Sequence, residues 1–271
     1  MPAGQRRPAA WLTATTTETN GDITKIRHLR AGTACAVLAL LQLTACGGGS
    51  NNPVFTPLPP ATTSPPPSEP PPAATSPLQR ATVYGSILGT DDAATNGTYS
   101  WKGVPFAKPP VGELRWKAPV DPTPWTTVKT TQKLGNACVQ TGRLYGPGQN
   151  NQYDATIGTS IGKTTGSEDC LYLNIWAPST AKATDKLPVI VFVYGGSNIT
   201  GYTGDPVYDG AALAKAANAV VVTVNYRLGI MGFLASPQLK AGLDANDDSG
   251  NYAILDLIKG MKFVNANIAA F

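Results

Sequence analysis

The run LPVIVFVY at Leu187–Tyr194 is continuously apolar, and its branched side chains are typical of a strand buried on both faces of a parallel sheet. A second run of this kind, AVVVTVNY, covers Ala219–Tyr226. The segment Asp209–Asn218 between the two runs is predicted to be a helix. A strand, a helix and a strand in this order form a βαβ unit, so the sequence predicts an α/β sheet.

Further elements are predicted on either side of this unit. The segments Thr82–Leu88, Tyr99–Phe106 and Leu171–Ala177 have the composition of strands, and glycine and Asn-Gly turns separate the first two. Apolar residues recur at helical spacing within Ser249–Ala269. In an alternating fold a buried strand should come next, and the sequence ends at Phe271.

The first 79 residues have a different composition. Lys25, Arg27 and Arg30 precede a short apolar stretch that is typical of an export signal and falls short of the roughly 20 residues of a membrane span. The sequence LTAC at 43–46 resembles the lipobox of bacterial lipoproteins, which implies that Cys46 carries lipid. The alternative is a cleaved signal with a chance cysteine. The resemblance implies a protein anchored in the bacterial cell envelope.

These observations divide the chain into three parts. Residues 1–45 are an export signal with an N-terminal extension, and 46–79 are a tether rich in Gly, Pro, Ser and Thr that cannot build a core. Residues 80–271 are the predicted globular domain. The net charge of the whole chain is +4, and five of its basic residues precede Cys46, so no basic face remains to bind nucleic acid.

Five motifs follow one another in the globular part. They are KGVPFA at 102–107, GELRW at 112–116, SEDCLYLNIW at 167–176, NYRLG at 225–229, and GNY at 250–252 with Leu255-Asp256. In this order they resemble the type B carboxylesterase/cholinesterase family. The resemblance implies the N-terminal portion of an α/β-hydrolase sheet, truncated before the strand-to-helix elbow that bears the nucleophile.

The resemblance also implies roles for structural residues. It pairs Arg115 with Glu168 and Arg227 with Asp256 as structural ion pairs. It joins Cys138 and Cys170 in a disulfide. Cys35 and Cys46 are the only other cysteines, and an exported protein meets an oxidising compartment, which favours the same pairing. Two free thiols or a metal pair are the alternatives.

The glycine-rich sequence after the first apolar run resembles the oxyanion loop of the family. Gly195, Gly196 and Ser197 are the matching residues, and their N–H groups would face a developing negative oxygen. Ser197 stands where a third glycine is commoner, so any need for a positive φ there would be strained. An ordinary turn at the end of a strand is the alternative.

The remaining catalytic groups are not found in this sequence. The string GTSIG at 158–162 has the spacing of a nucleophile elbow, but no buried strand precedes Ser160 and no helix follows it. The only histidine is His28, in the leader, and an exposed lysine such as Lys163 is a poor general base near neutral pH. We therefore expect the nucleophile, the acid and the histidine to be absent and this chain alone to be inactive.

The resemblance implies a hydrolase of small-molecule carboxylic esters that acts through an acyl-serine and needs no cofactor. Residues 139–169 contain Tyr145 and Tyr153 but no tryptophan, which disfavours choline esters. Two alternatives stay open: a non-catalytic, cholinesterase-like binding protein at the cell surface, and a truncated gene product without function.

Overall fold

The computed structural model describes residues 76–182, 184–242 and 244–271, all within one compact unit of the chain. The leader, Cys46, His28 and most of the tether lie outside the described residues. The first strand begins at Gln79, one residue before the predicted boundary of the domain. None of the helices in the described ranges has the length and apolar character needed to cross a membrane.

The central sheet has five strands in the order β3-β4-β8-β10-β9. Its strands are β3 (Thr90–Asp92), β4 (Thr98–Pro105), β8 (Tyr172–Pro178), β9 (Val189–Phe192) and β10 (Val220–Val224). The pairs β3–β4, β4–β8 and β8–β10 are antiparallel, and β10–β9 is parallel. The predicted α/β sheet is confirmed, and its one parallel pair is the pair of apolar strands β9 and β10.

The predicted βαβ unit is present as β9, α2 (Ala211–Ala217) and β10. The helix is shorter than the predicted segment because Gly210 is its N-cap and Asn218 is its C-cap. Asp209 accepts a hydrogen bond from the N–H of Ala211, and Asn218 ends the helix in a left-handed conformation. Ala211 and Ala214 pack against Trp176 and Val221 on one face of the sheet.

Burial differs between the two apolar strands. All five residues of β10 are buried, as predicted, because the strand lies between β8 and β9. The prediction that Leu187–Tyr194 is buried on both faces is wrong for the described part of the chain. Strand β9 lies at the edge of the sheet, and Val189 and Phe192 are 39% and 38% exposed.

The predicted strand Thr82–Leu88 is in fact a hairpin. Strand β1 (Gln79–Thr82) pairs with β2 (Gly85–Leu88) across a two-residue turn, and β2 also pairs with β5 (Lys129–Thr130). Gly85 has a φ of 142° and lies against Trp125, with no room for a Cβ atom. The apolar pattern continues through the turn, so Gly85 is the one residue of the predicted strand that indicates the break.

The predicted C-terminal helix is present as α4 (Tyr252–Asn267), which continues into a 3₁₀ turn at Ile268–Ala270. It packs through Phe263 and Val264 on the main core. Gly260 lets it approach the sheet, since a Cβ there would lie 2.8 Å from Val224. Two one-turn helices, α1 (Ala93–Asn96) and α3 (Gly229–Gly232), and 3₁₀ turns at Gly112–Leu114, Pro206–Tyr208 and Pro237–Leu239 complete the helical elements of the described ranges.

A disulfide joins Cys138 to Cys170, with an S–S distance of 2.02 Å. Both cysteines are buried in the main core, and Cys170 lies just before β8. The long loop between them is closed further by a two-stranded ribbon of β6 (Gln140–Thr141) and β7 (Thr164–Thr165). The loop is therefore attached to the central sheet at its base.

We predict that replacing both cysteines by alanine lowers the free energy of unfolding by roughly 3–4 kcal/mol, because a loop of this length then gains freedom in the unfolded chain. Urea unfolding of the purified full chain would measure the loss. Reducing the unaltered protein with dithiothreitol should give a similar loss. A change below about 1 kcal/mol in both experiments would contradict a structural role for the bridge.

Candidate active site

The predicted oxyanion loop follows β9 and turns sharply. Gly196 has a φ of 133°, and Ser197 and Asn198 have φ values of 55° and 60°. A Cβ atom on Gly196 would lie 2.1 Å from the carbonyl oxygen of Thr200, so this position requires glycine. Ser197 does adopt the left-handed conformation that costs a non-glycine residue roughly 1–2 kcal/mol.

The turn leaves backbone donors available. The Gly196 carbonyl accepts hydrogen bonds from the N–H groups of Ile199 and Thr200, at 3.1 and 3.2 Å. Within the described part of the chain, the N–H groups of Gly196 and Ser197 themselves donate to no protein atom. Adjacent free N–H groups in a turn of this kind can bind an anionic oxygen.

Two tyrosines clamp the start of the loop. The Tyr194 hydroxyl donates to the carbonyl of Tyr226, and the Tyr226 hydroxyl donates to the carbonyl of Tyr194, at 3.2 and 3.1 Å. Their rings stack with centroids 4.7 Å apart. Burial raises the pKa of the Tyr194 phenol well above its ordinary value, which further favours the protonated form that donates this hydrogen bond. The clamp fixes the end of β9 to the end of β10.

The base of the disulfide loop fixes the other end of the turn. The Gln140 side chain accepts hydrogen bonds from Thr200 Oγ1 and from the N–H of Gly201, and it donates to the Gly201 carbonyl. Gln140 is buried. The sequence did not predict a role for Gln140 or Tyr226. Both residues hold the turn in place, and neither is a nucleophile, a general base or a backbone donor to an oxyanion.

A groove lies between the disulfide loop, which runs from Cys138 to Cys170, and the segment that follows β9. Leu144 and Tyr145 of the disulfide loop form one side, and Gly195, Tyr202 and Tyr208 form the other. Leu144 and Tyr145 are 60% and 72% exposed. Leu144 and three tyrosines therefore line the groove beside the glycine turn together with the charged residues Arg143 and Asp205, a mixture of apolar and polar groups that is typical of small-molecule sites.

The structure brings Arg227 and Asp256 together as a buried ion pair. Arg227 Nε and Nη2 donate to the two carboxylate oxygens of Asp256 at 2.8 Å, and its backbone N–H donates to Oδ2. Burial raises the pKa of Asp256, while the hydrogen bonds from Arg227 lower it. Arg227 Nη2 also donates to the carbonyl of Lys117, so the pair ties the segment after β10 to α4 and to the loop that contains Lys117.

Arg115 and Glu168 also meet, as a bidentate pair at 2.7 Å. This pair is much more exposed, with 41% of the Arg115 side chain and 24% of the Glu168 side chain accessible. It joins the loop after the Gly112–Leu114 turn to the residues just before Cys170. Exposed pairs of this kind add little to stability.

The serine of the GTSIG string does not form a nucleophile site. Ser160 is buried, and its hydroxyl donates to the carbonyl of Pro147 at 2.7 Å. It lies in a turn of the disulfide loop, with no strand before it and no helix after it. Among the described residues, no group of three or more His, Cys, Asp or Glu is placed to hold a metal ion.

Comparison with known proteins gives a match to the carboxylesterase family over residues 76–271. Para-nitrobenzyl esterase of Bacillus subtilis is 40% identical over 190 residues, which is 70% of this chain and 35% of that protein. Fumonisin B1 esterase of Sphingopyxis macrogoltabida is 40% identical over 194 residues, 72% of this chain and 32% of that protein. The chain thus spans about a third of the length of these curated relatives.

Solved structures give the same result. A thermophilic para-nitrobenzyl esterase superposes with a TM-score of 0.60 at 37% identity, covering 72% of this chain and 36% of the other. A carboxylesterase of Geobacillus stearothermophilus gives a TM-score of 0.56 at 33% identity, covering 72% of this chain and 35% of the other.

We predict that the two ion pairs differ in their contribution to stability. Asp256→Asn should lower the free energy of unfolding by about 3–5 kcal/mol, because it leaves the buried Arg227 charge without a counter-ion. Glu168→Gln is the matched control and should cost at most about 1 kcal/mol, because water screens that pair. Urea unfolding of both variants measures the difference, and equal losses would contradict the assignment.

Proposed function

Because this chain belongs to the carboxylesterase family, we propose that it supplies the oxyanion-binding part of an enzyme that hydrolyses carboxylic esters. In this proposal the N–H groups of Gly196 and Ser197 bind the oxygen that becomes negative when a serine attacks the ester carbonyl. Each such donor lowers the barrier by roughly 3–4 kcal/mol when it is held in place beforehand.

The observation that carries the proposal is the geometry of the glycine turn. Its two free N–H groups are adjacent, and hydrogen bonds hold the backbone on both sides of them, through the Tyr194–Tyr226 clamp and through Gln140. A rigid donor pair does not have to reorganise as charge develops on the substrate.

The reaction needs a nucleophile and a base that are not among the described residues of this chain. Acyl transfer in such enzymes proceeds through a serine activated by a histidine. The only histidine of the sequence is His28, outside the described residues, and Ser160 already donates its proton to a backbone carbonyl. We therefore propose that the chain alone does not turn over esters.

The substrate proposed is a small carboxylic ester with an apolar or aryl group. The groove beside the glycine turn offers Leu144, Tyr145 and Tyr208 as apolar contacts. The disulfide loop lacks the tryptophan that would best hold a quaternary ammonium group, so choline esters are disfavoured.

The oxyanion role can be tested in a chimera in which residues 76–271 replace the matching third of Bacillus subtilis para-nitrobenzyl esterase. We expect it to hydrolyse p-nitrophenyl acetate. Gly196→Ala should lower kcat by roughly 100- to 1,000-fold, because the new Cβ would collide with Thr200 and displace the turn. Val128→Ala, at an exposed site just before β5, should leave kcat unchanged.

Two results would contradict this account. The first is a Gly196→Ala chimera that is folded by circular dichroism and retains its kcat. The second is esterase activity of the purified full chain by itself that disappears in Ser160→Ala, because the working nucleophile would then lie in the disulfide loop.

We also propose that the chain is exported and anchored to the bacterial cell envelope by lipid on Cys46. The support is the order of basic residues, short apolar stretch and LTAC sequence, followed by a glycine-rich and proline-rich tether. Two or more acyl chains hold a protein firmly at a membrane, and the tether would let the domain stand away from it.

Metabolic labelling with an alkyne fatty acid in a bacterial host tests the anchor. The full chain should take up label and sediment with membranes, because acylation of Cys46 adds long apolar chains. Cys46→Ala should lose both properties, and Cys35→Ala should keep them. Equal labelling of the two variants would rule out the anchor. An unaltered chain that takes up no label would also rule it out.

A further inference from the structure

A groove beside β5 combines two aromatic side chains with three prolines. Trp125 and Tyr172 line it together with Pro105, Pro109 and Pro122, and its volume is about 250 Å³. Both aromatic residues are half-buried, so part of each side chain is accessible. A surface of aromatic side chains is typical of the grooves that bind proline-rich chains in the polyproline II conformation.

Hydrogen bonds hold the two aromatic side chains in place. Trp125 Nε1 donates to the carbonyl of Ser86 at 2.8 Å, and the Tyr172 hydroxyl donates to Asp169 at 2.7 Å. The Tyr172 ring also lies against Gly135, where a Cβ atom would be 2.4 Å from it. The groove is therefore formed before a ligand binds, which lowers the entropic cost of binding.

The groove is positively charged. Lys108 and Lys129 line it, and no carboxylate is among its lining residues. Lys129 Nζ lies 4.9 Å from the centre of the Trp125 ring, and neither lysine forms an ion pair within the described ranges. The groove therefore favours a ligand that combines proline rings with a carboxylate.

The chain itself contains such a segment shortly before its first strand. Residues 65–72 have the sequence PPPSEPPP, and Glu69 is the only charged residue between Cys46 and Gln79. A run of this composition is typical of polyproline II, a conformation that loses little entropy on binding because it is already extended. The segment lies outside the described residues, which begin at Ser76.

The start of β1 is near enough for this segment to reach the groove. Gln79 pairs with Leu88, and Leu88 pairs with Thr130, so Gln79 lies about 10 Å from Thr130 by two strand spacings. The seven residues from Pro72 to Gln79 span up to roughly 22 Å at the rise of polyproline II. A short connection of this kind gives an effective concentration on the order of millimolar, so a weak contact is enough to fill the groove.

We propose that residues 65–72 dock in this groove of the same chain, with their proline rings on Trp125 and Tyr172. Glu69 then lies beside the two lysines of the groove. Docking shortens the spacer between Cys46 and the domain to residues 47–64. The proposal involves neither the glycine turn nor ester hydrolysis, so it goes beyond the proposed function and does not depend on it.

Cross-linking of the purified full chain with a carbodiimide tests this placement, because the reagent joins a carboxylate directly to an amine that it contacts. We expect mass spectrometry to find Glu69 joined to Lys108 or Lys129 and not to Lys163, an exposed lysine of the disulfide loop. A mixture of isotope-labelled and unlabelled chains shows whether each link lies within one copy. Links within one copy support the proposal, and links mainly between copies would overturn it, because the segment of a second chain would then fill the groove.

Hydroxyl-radical oxidation of Trp125 and Tyr172 gives an independent measurement. Glu69→Lys should raise both oxidation rates by about two- to fivefold, the effect expected when an exposed ion pair is lost. Adding Lys108→Glu to this variant should restore the slow rates, because opposite charges then meet again. Replacing Pro70–Pro72 by alanine should also raise the rates, whereas replacing Pro57, Pro59 and Pro60 by alanine is the matched control and should not.

Thermal unfolding followed by circular dichroism shows whether each variant is folded. The proposal is overturned if Glu69 forms no link to either lysine of the groove or couples to Lys163 equally well. It is also overturned if the two aromatic side chains are oxidised at the same rates in the unaltered chain and in all of its folded variants.

Discussion

The dipeptide Tyr226–Arg227, in the segment just after β10, is the point on which the arrangement of the described domain depends. Tyr226 clamps Tyr194 and so fixes the end of β9 and the start of the glycine turn. Arg227 holds Asp256 of α4 and the carbonyl of Lys117. Two adjacent residues thus fix a turn, a helix and a loop relative to the buried strand that precedes them.

This arrangement explains how an exposed turn can be rigid. Loops at the ends of strands are usually the more mobile part of a fold. Here the turn is held from the sheet side by the tyrosines and from the disulfide-loop side by Gln140, whose strand follows directly after buried Cys138. The disulfide therefore lies close in sequence to the residue that holds the glycine turn from this side.

Much of this fold could be predicted from the sequence. The strong apolar runs predicted a βαβ unit, which is present, and the five ordered motifs predicted the α/β-hydrolase fold, which the solved relatives confirm. The local sequence pattern gave wrong predictions where packing against distant residues decides the structure. The run at Leu187–Tyr194 has an interior composition but an edge position, and the hairpin break near Gly85 follows from the close approach of Trp125.

The candidate site was predictable only in part. The glycines indicated where donors would lie, since a backbone site requires residues that tolerate unusual dihedrals. Gln140 and Tyr226 were not predictable, because an amide and a phenol acquire their positioning roles only from neighbours that are distant in sequence. Ser197 adopts the strained conformation that its place in the turn requires, and no single-residue pattern gives that φ value.

The most direct test of this account is a crystal structure of the chimeric esterase inactivated by an aryl phosphonate, in which the phosphonyl oxygen stands in for the oxyanion. The account predicts that oxygen at about 2.7–3.1 Å from the backbone nitrogens of Gly196 and Ser197, with the Tyr194–Tyr226 clamp intact. A phosphonyl oxygen bound by other groups, with the glycine turn facing solvent, would contradict it.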